Sequence, residues 1–94
     1  MEKLSSNDIK KRLDQLGNGW KTEGDYIYKA FHFADFVDAF GFMTKVAILA
    51  QEMNHHPDWS NVYRDVQVKL STHDVNGISD LDFDLARKIE NVCK

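Results

Sequence analysis

A chain of 94 residues, 43% hydrophobic and 29% charged, makes one domain over residues 1–94 with no room for a second core. Its net charge of −3 argues against direct nucleic-acid binding, which draws on a basic face; the one cationic trio, Lys10-Lys11-Arg12, reads as the solvated side of a helix. The longest apolar segment, Phe36 to Ala50, is too short and too interrupted to span a bilayer, no leader-like run opens the chain, and a lone Cys93 excludes an internal disulfide and points to a reducing, cytoplasmic setting.

The predicted elements alternate in a simple order. Ser5 N-caps a first helix with Asp8 three residues on, and Leu4 staples onto Ile9. Ile9, Leu13 and Leu16 share its inner face, and Gly17 stops it. Trp20 to Glu23 and Tyr26 to Phe33, separated by Gly24-Asp25, read as a β-hairpin. His32, alternating with aromatics there, is expected to be a partly buried strand residue.

The middle helix, about Asp35 to Met53, carries two apolar rows. One is Phe36, Phe40, Met43, Ala47 and Ala50; the other is Ala39, Phe42, Val46, Leu49 and Met53. Asp38, Lys45 and Glu52 occupy a narrow polar stripe between them. A surface helix of a monomer needs one buried stripe. Two rows favour packing on the sheet and on a second subunit, over burial at the centre of a small monomer. Trp59 to Tyr63 and Val66 to Thr72, turning at Arg64-Asp65, form a second hairpin whose last strand alternates buried and wet residues.

In the last helix Ser79 is the cap, Asp82 its capping-box partner, and Ile78 staples onto Phe83. Phe83, Ala86, Ile89 and Cys93 line its inner face. Cys93 reads as a part-buried small side chain rather than a nucleophile. The order α-β-β-α-β-β-α predicts an α+β fold, a four-stranded antiparallel sheet with three helices packed on one face.

Chemistry concentrates in His55-His56-Pro57-Asp58-Trp59, with His73 and Asp82 downstream. Pro57 drives His56 out of helical geometry, so the middle helix ends at about Asn54 or His55. The paired histidines therefore sit at a helix C-terminus, where partial negative charge favours an imidazolium. A lone histidine there would merely satisfy the last carbonyls. Two beside a proline and a tryptophan, with a third at a strand end, read instead as proton-transfer groups around a small molecule. Strict alternation puts His73 on the side of Gln67, Lys69 and Ser71 unless the strand bends first. Asp82 needs no purpose beyond capping, although a cap can also face a pocket. No metal is expected: adjacent histidine rings diverge, and no spacing typical of zinc ligands occurs. A metal-dependent hydrolase therefore ranks below metal-free acid–base work.

Over nearly its whole length the chain resembles the pterin-4a-carbinolamine dehydratases. The matching pieces include Phe31-His32-Phe33, Ala39-Phe40-Gly41-Phe42-Met43, His55-His56-Pro57-Asp58-Trp59, Asn61-Val62-Tyr63, Leu70-Ser71-Thr72-His73, Gly77, Ser79 and Asp82. The resemblance implies an antiparallel sheet with three helices on one side and a homodimer or homotetramer joined through the middle helix. It implies dehydration of 4a-hydroxytetrahydropterin to quinonoid dihydropterin, with no cofactor, no nucleic acid and no membrane involved. His55, His56 and His73 are then the active-site histidines. The chemistry of the residues assigns His55 and His73 to proton transfer, with acid and base left open between them, and His56 to substrate contact. Pro57 and Trp59 shape the substrate site and Asp82 supports it.

One position departs from the family pattern. An acidic residue often stands four positions before the first histidine, where this chain has Gln51. Glu52 lies about 100° away around the helix and does not replace it. A neutral amide can hydrogen-bond His55 but brings no charge to favour its protonated form. The resemblance also carries an alternative function, because animal members serve as dimerisation cofactors of a homeodomain transcription factor through the middle helix.

Overall fold

The computed structural model describes residues 1–93. Helix α1 (Ser6–Leu16) starts where the Ser5 side chain accepts the Asp8 N–H, and Gly17, at φ 60°, closes it. Strands β1 (Lys21–Glu23) and β2 (Tyr26–His32) form the first hairpin around Gly24-Asp25, with Gly24 at φ 57°. Helix α2 (Phe36–Met53) is capped by the Asp35 side chain, which accepts the Asp38 N–H. Strands β3 (Asp58–Val62) and β4 (Asp65–Leu70) follow, and helix α3 (Asp80–Val92) ends the described chain. The expected element order holds.

The four strands form an antiparallel sheet in the order β1-β2-β4-β3. Strand β4 is therefore central, pairing Leu70 with Ile27 and Val66 with Phe31 on one side, and Val68 with Trp59 on the other. One sheet face supplies Ile27, Phe31, Val66, Val68 and Leu70 to the core, and α2 and α3 cover it with Ala39, Phe42, Val46, Phe83 and Ile89. Each large aliphatic or aromatic side chain buried this way contributes about 1.5–3 kcal/mol relative to exposure. Helix α1 buries no residue fully but lays Ile9, Leu13 and Leu16 against the same core. A part-buried knot fastens the first hairpin to α3: the Glu90 carboxylate accepts from both the Trp20 indole (2.8 Å) and the Lys29 ammonium (2.7 Å).

Several local expectations are corrected. The second hairpin turns at Tyr63-Arg64 rather than Arg64-Asp65, with Tyr63 at φ 53°, so Asp65 is free to pair in register with His32. Strand β4 ends at Leu70, two residues early, because the chain bends into a short 3-10 turn over His73–Val75. His32 is exposed on the open sheet face, its Nδ1 facing the Asp65 carboxylate across the strands, since alternation from buried Phe31 turns it outward. Arg12 is less solvated than its two lysine neighbours: it pairs with Asp80 at 2.7 Å and lies over the Phe83 ring.

Helix α2 buries Ala39, Phe42 and Val46 of one expected row together with Ala50 of the other. Of the other expected row, Phe36 and Phe40 stay 49% and 56% exposed, beside Val37 and Ile48 at 76% and 58%. One chain thus covers one side of this helix and leaves an apolar side open. Cys93 follows α3 as its cap and is exposed rather than part-buried. Desolvation and then the nearby Glu90 carboxylate push its thiol above its ordinary range, which leaves less of the nucleophilic thiolate. No helix among the described residues is long and apolar enough to cross a membrane.

Candidate active site

Two backbone segments build the site. The first is the end of α2. Asn54 adopts the left-handed conformation (φ 51°, ψ 43°) that short polar side chains tolerate, and its N–H returns to the last helical carbonyls. The His55 N–H donates to the Ala50 carbonyl at 3.0 Å. The chain reverses there, burying the His55 ring and leaving His56 exposed. Pro57 then leads it extended into β3.

The second segment links β4 to α3. Thr72 and Gly77 bridge each other, the Thr72 N–H donating to the Gly77 carbonyl at 2.7 Å. That clasp throws the intervening loop outward, with His73 first in its 3-10 turn and Asn76 left-handed at its end. The bend takes His73 off the alternation of β4 and presents it to the same opening as the paired histidines.

That opening is a cleft of about 460 Å³. His55, His56, Pro57 and His73 all line it, with Asn54 and Thr72 between them. Its remaining walls include Asp58 and Asp74. The three histidines that the sequence singled out converge, although they come from segments separated by β3 and β4.

Asp82 stands behind His55. It is fully buried, and its Oδ1 lies 2.6 Å from His55 Nε2. Its Oδ2 accepts the Ser79 N–H at 3.0 Å and the Thr72 hydroxyl at 2.9 Å. The capping role and the site role therefore coexist, one carboxylate oxygen to each. Asp82 reaches the cleft only through His55 and does not line it. An ionised carboxylate is an acceptor only, so the His55 Nε2 carries a proton toward it. The other ring nitrogen, Nδ1, makes no hydrogen bond to the described residues. No buried side-chain nitrogen there lacks a partner, so Nδ1 keeps accessible surface on a residue that lines the cleft.

Two expectations about individual residues change. Trp59 does not line the cleft; it is partly buried against the core, opposite Val68 in the sheet. Gln51 hydrogen-bonds His56 rather than His55, its Oε1 standing 3.1 Å from the His56 Nε2. The left-handed step at Asn54 explains this, because it swings His55 inward and leaves the next ring beside the helix flank. Among the described residues no group of three or more His, Cys, Asp or Glu side chains is disposed to hold a metal ion.

Thr72 was not singled out as a site residue from sequence. A threonine ahead of a candidate histidine looks like the end of a β-strand, and only its burial beside Ser79 and Asp82 discloses its part. Asp58 was named only as part of its motif and Asp74 not at all, for a simpler reason: surface aspartates beside turns are commonplace.

Comparison with known proteins places these features in context. A family model described as pterin 4 alpha carbinolamine dehydratase matches residues 2–92. A Burkholderia vietnamiensis protein is 52% identical over 94 residues, spanning 99% of this chain and 92% of its own. A Burkholderia pseudomallei protein is 52% identical over 95 residues, spanning 100% and 94%. Both are provisionally named pterin-4-alpha-carbinolamine dehydratases. A crystal structure from Brucella melitensis, described as a transcriptional coactivator/pterin dehydratase, superposes with a TM-score of 0.94. It is 37% identical, and the match covers 98% of this chain and 99% of that one.

Proposed function

The chain belongs to the pterin 4 alpha carbinolamine dehydratase family, and on that premise we propose that it is a lyase that dehydrates 4a-hydroxytetrahydropterin to quinonoid dihydropterin. The observation that carries the reading is the convergence of His55, His56 and His73 on one cleft, with Asp82 buried behind the first. The product feeds the recycling of a tetrahydropterin after aromatic amino-acid hydroxylation. The lone unpaired thiol suits a reducing, cytoplasmic compartment.

A carbinolamine carries hydroxyl and amine on one carbon. His55 Nδ1 takes the proton from the ring nitrogen beside that carbon, and the N–H pair becomes the second bond of C=N. The C–O bond breaks as His73 delivers a proton to the departing oxygen, which leaves as water. Each positioned acid or base contributes typically about 10²–10⁴-fold. Asp82 holds the His55 ring and offsets the imidazolium that forms, as a buried carboxylate does in other histidine-based sites. His56, exposed and held by Gln51, contacts the substrate, and Pro57 stiffens the wall beside it. The carbinolamine is reactive enough that proton transfer alone suffices, with no organic cofactor or metal.

The direct test is turnover of carbinolamine generated in situ, with dehydration faster than the spontaneous rate expected. A rate equal to the uncatalysed one would remove the enzymatic reading. Position 51 supplies a finer prediction. A carboxylate beside His56 favours the protonated imidazole. Gln51→Glu is therefore expected to move whichever limb of the pH–rate profile follows His56 toward higher pH. An unchanged profile would show that this contact does not bear on turnover.

A second reading is a protein-binding or dimerisation module built on α2, favoured by its open apolar side. That side also suits self-association into homodimers or homotetramers, as the marginal core of a small domain encourages. Phe40→Glu is expected to lower the mass measured by light scattering while the His55 site keeps its turnover. An unchanged mass would move the subunit contact, if one forms, off this helix.

A further inference from the structure

Behind the cleft lies a chain of hydroxyl groups whose proton directions are determined. Asp82 Oδ2 is an acceptor only, so the single Thr72 hydroxyl proton goes to it, over 2.9 Å. The Thr72 and Ser79 oxygens are 2.7 Å apart. With the Thr72 proton committed, the Ser79 hydroxyl must donate to Thr72. Ser79 Oγ in turn accepts the Leu81 N–H at 3.2 Å. The sequence of donors therefore runs from the first turn of α3 through Ser79 and Thr72 to Asp82. Thr72, Ser79 and Asp82 are all buried, Ser79 and Asp82 with no exposed surface at all.

We propose that Thr72 is a positioning residue for the reaction, acting through Asp82 to hold the His55 ring in the tautomer that leaves Nδ1 unprotonated toward the cleft. This rests on the reading of His55 as the proton acceptor. Without the Thr72 hydroxyl, Oδ2 keeps only the Ser79 N–H, and the carboxylate can rotate about its last torsion. The Oδ1 that faces His55 then loses its fixed direction, its hydrogen bond to the Nε2–H weakens, and the preference for that tautomer over the Nδ1–H form falls. A residue that only filled space would leave the tautomer untouched.

The test uses protein labelled with ¹⁵N in its histidines, with imidazole nitrogen shifts and turnover read on the same samples. In the wild type, neutral His55 is expected to show a protonated Nε2 and a bare Nδ1. Thr72→Val, which keeps shape but not the hydroxyl, is expected to give mixed tautomers, a kcat roughly tenfold lower and a KM little changed. Thr72→Ser is expected to restore both readouts. A folded Thr72→Val protein with unmixed tautomer and wild-type kcat would overturn the proposal. So would a wild type whose His55 carries its proton on Nδ1, whether or not the valine variant folds. Mixed tautomers in Thr72→Val together with a wild type that does not turn over would sink the dehydratase reading and leave the positioning relation standing.

Discussion

Asp82→Asn is expected to lower turnover about 10²–10⁴-fold while the protein stays folded. The amide fits the same space, and its oxygen can still accept from the Ser79 N–H and the Thr72 hydroxyl. Its NH₂ then faces His55 Nε2, where Oδ1 stands at 2.6 Å in the native protein. Two donors cannot share that contact. Nε2 must give up its proton and become the acceptor, so the proton moves to Nδ1. On the proposed assignment of His55, the base is lost through a change of tautomer, without a change of shape. A variant that retained near-native kcat would show that the orientation of His55 does not matter to the reaction.

The second large effect separates His55 from His73. His55→Ala is expected to cost about 10²–10⁴-fold in rate and about 3 kcal/mol in stability. The stability loss arises because the buried Asp82 carboxylate is left without its imidazole partner. His73→Ala is expected to cost a comparable factor in rate with almost no loss of stability, since that side chain is exposed at the cleft mouth. Urea denaturation and in situ turnover measured on both variants supply the comparison. Equal destabilisation by the two would contradict the burial difference on which the assignment of roles depends.

Much of the architecture was legible because local signals and hydrophobic period agreed. Ser5 with Asp8 and Ser79 with Asp82 mark helix starts by hydrogen bonds within three residues, which sequence can display. Alternation in Val66, Val68 and Leu70 identified a half-buried strand for the same reason. The three histidines were legible as a group because Pro57 and the end of α2 constrain where two of them sit.

What escaped notice depended on backbone reversals with weak sequence marks. Tyr63 and Asn54 adopt positive φ without a glycine to advertise it, and those two steps decide the hairpin register and which imidazole Gln51 meets. The side preference of α2 was ambiguous because Phe36 and Phe40 are as apolar as the residues actually buried; composition alone cannot say which row a single chain covers. The placement of Trp59 was likewise set by tertiary packing, as was the burial of Thr72.

The contact between His55 and Asp82 joins residues 27 positions apart, and α3 reaches α2 only after β3 and β4 have been threaded between them. On the proposed function, competence is a long-range property of the polypeptide, expected to come late in folding because distant closures are slow relative to local ones. A chain interrupted before Ser79 would keep both hairpins in its sequence yet possess no dyad. Recovery of activity during refolding should accordingly lag the return of helical and sheet signals, and it would report docking of the final helix more directly than either.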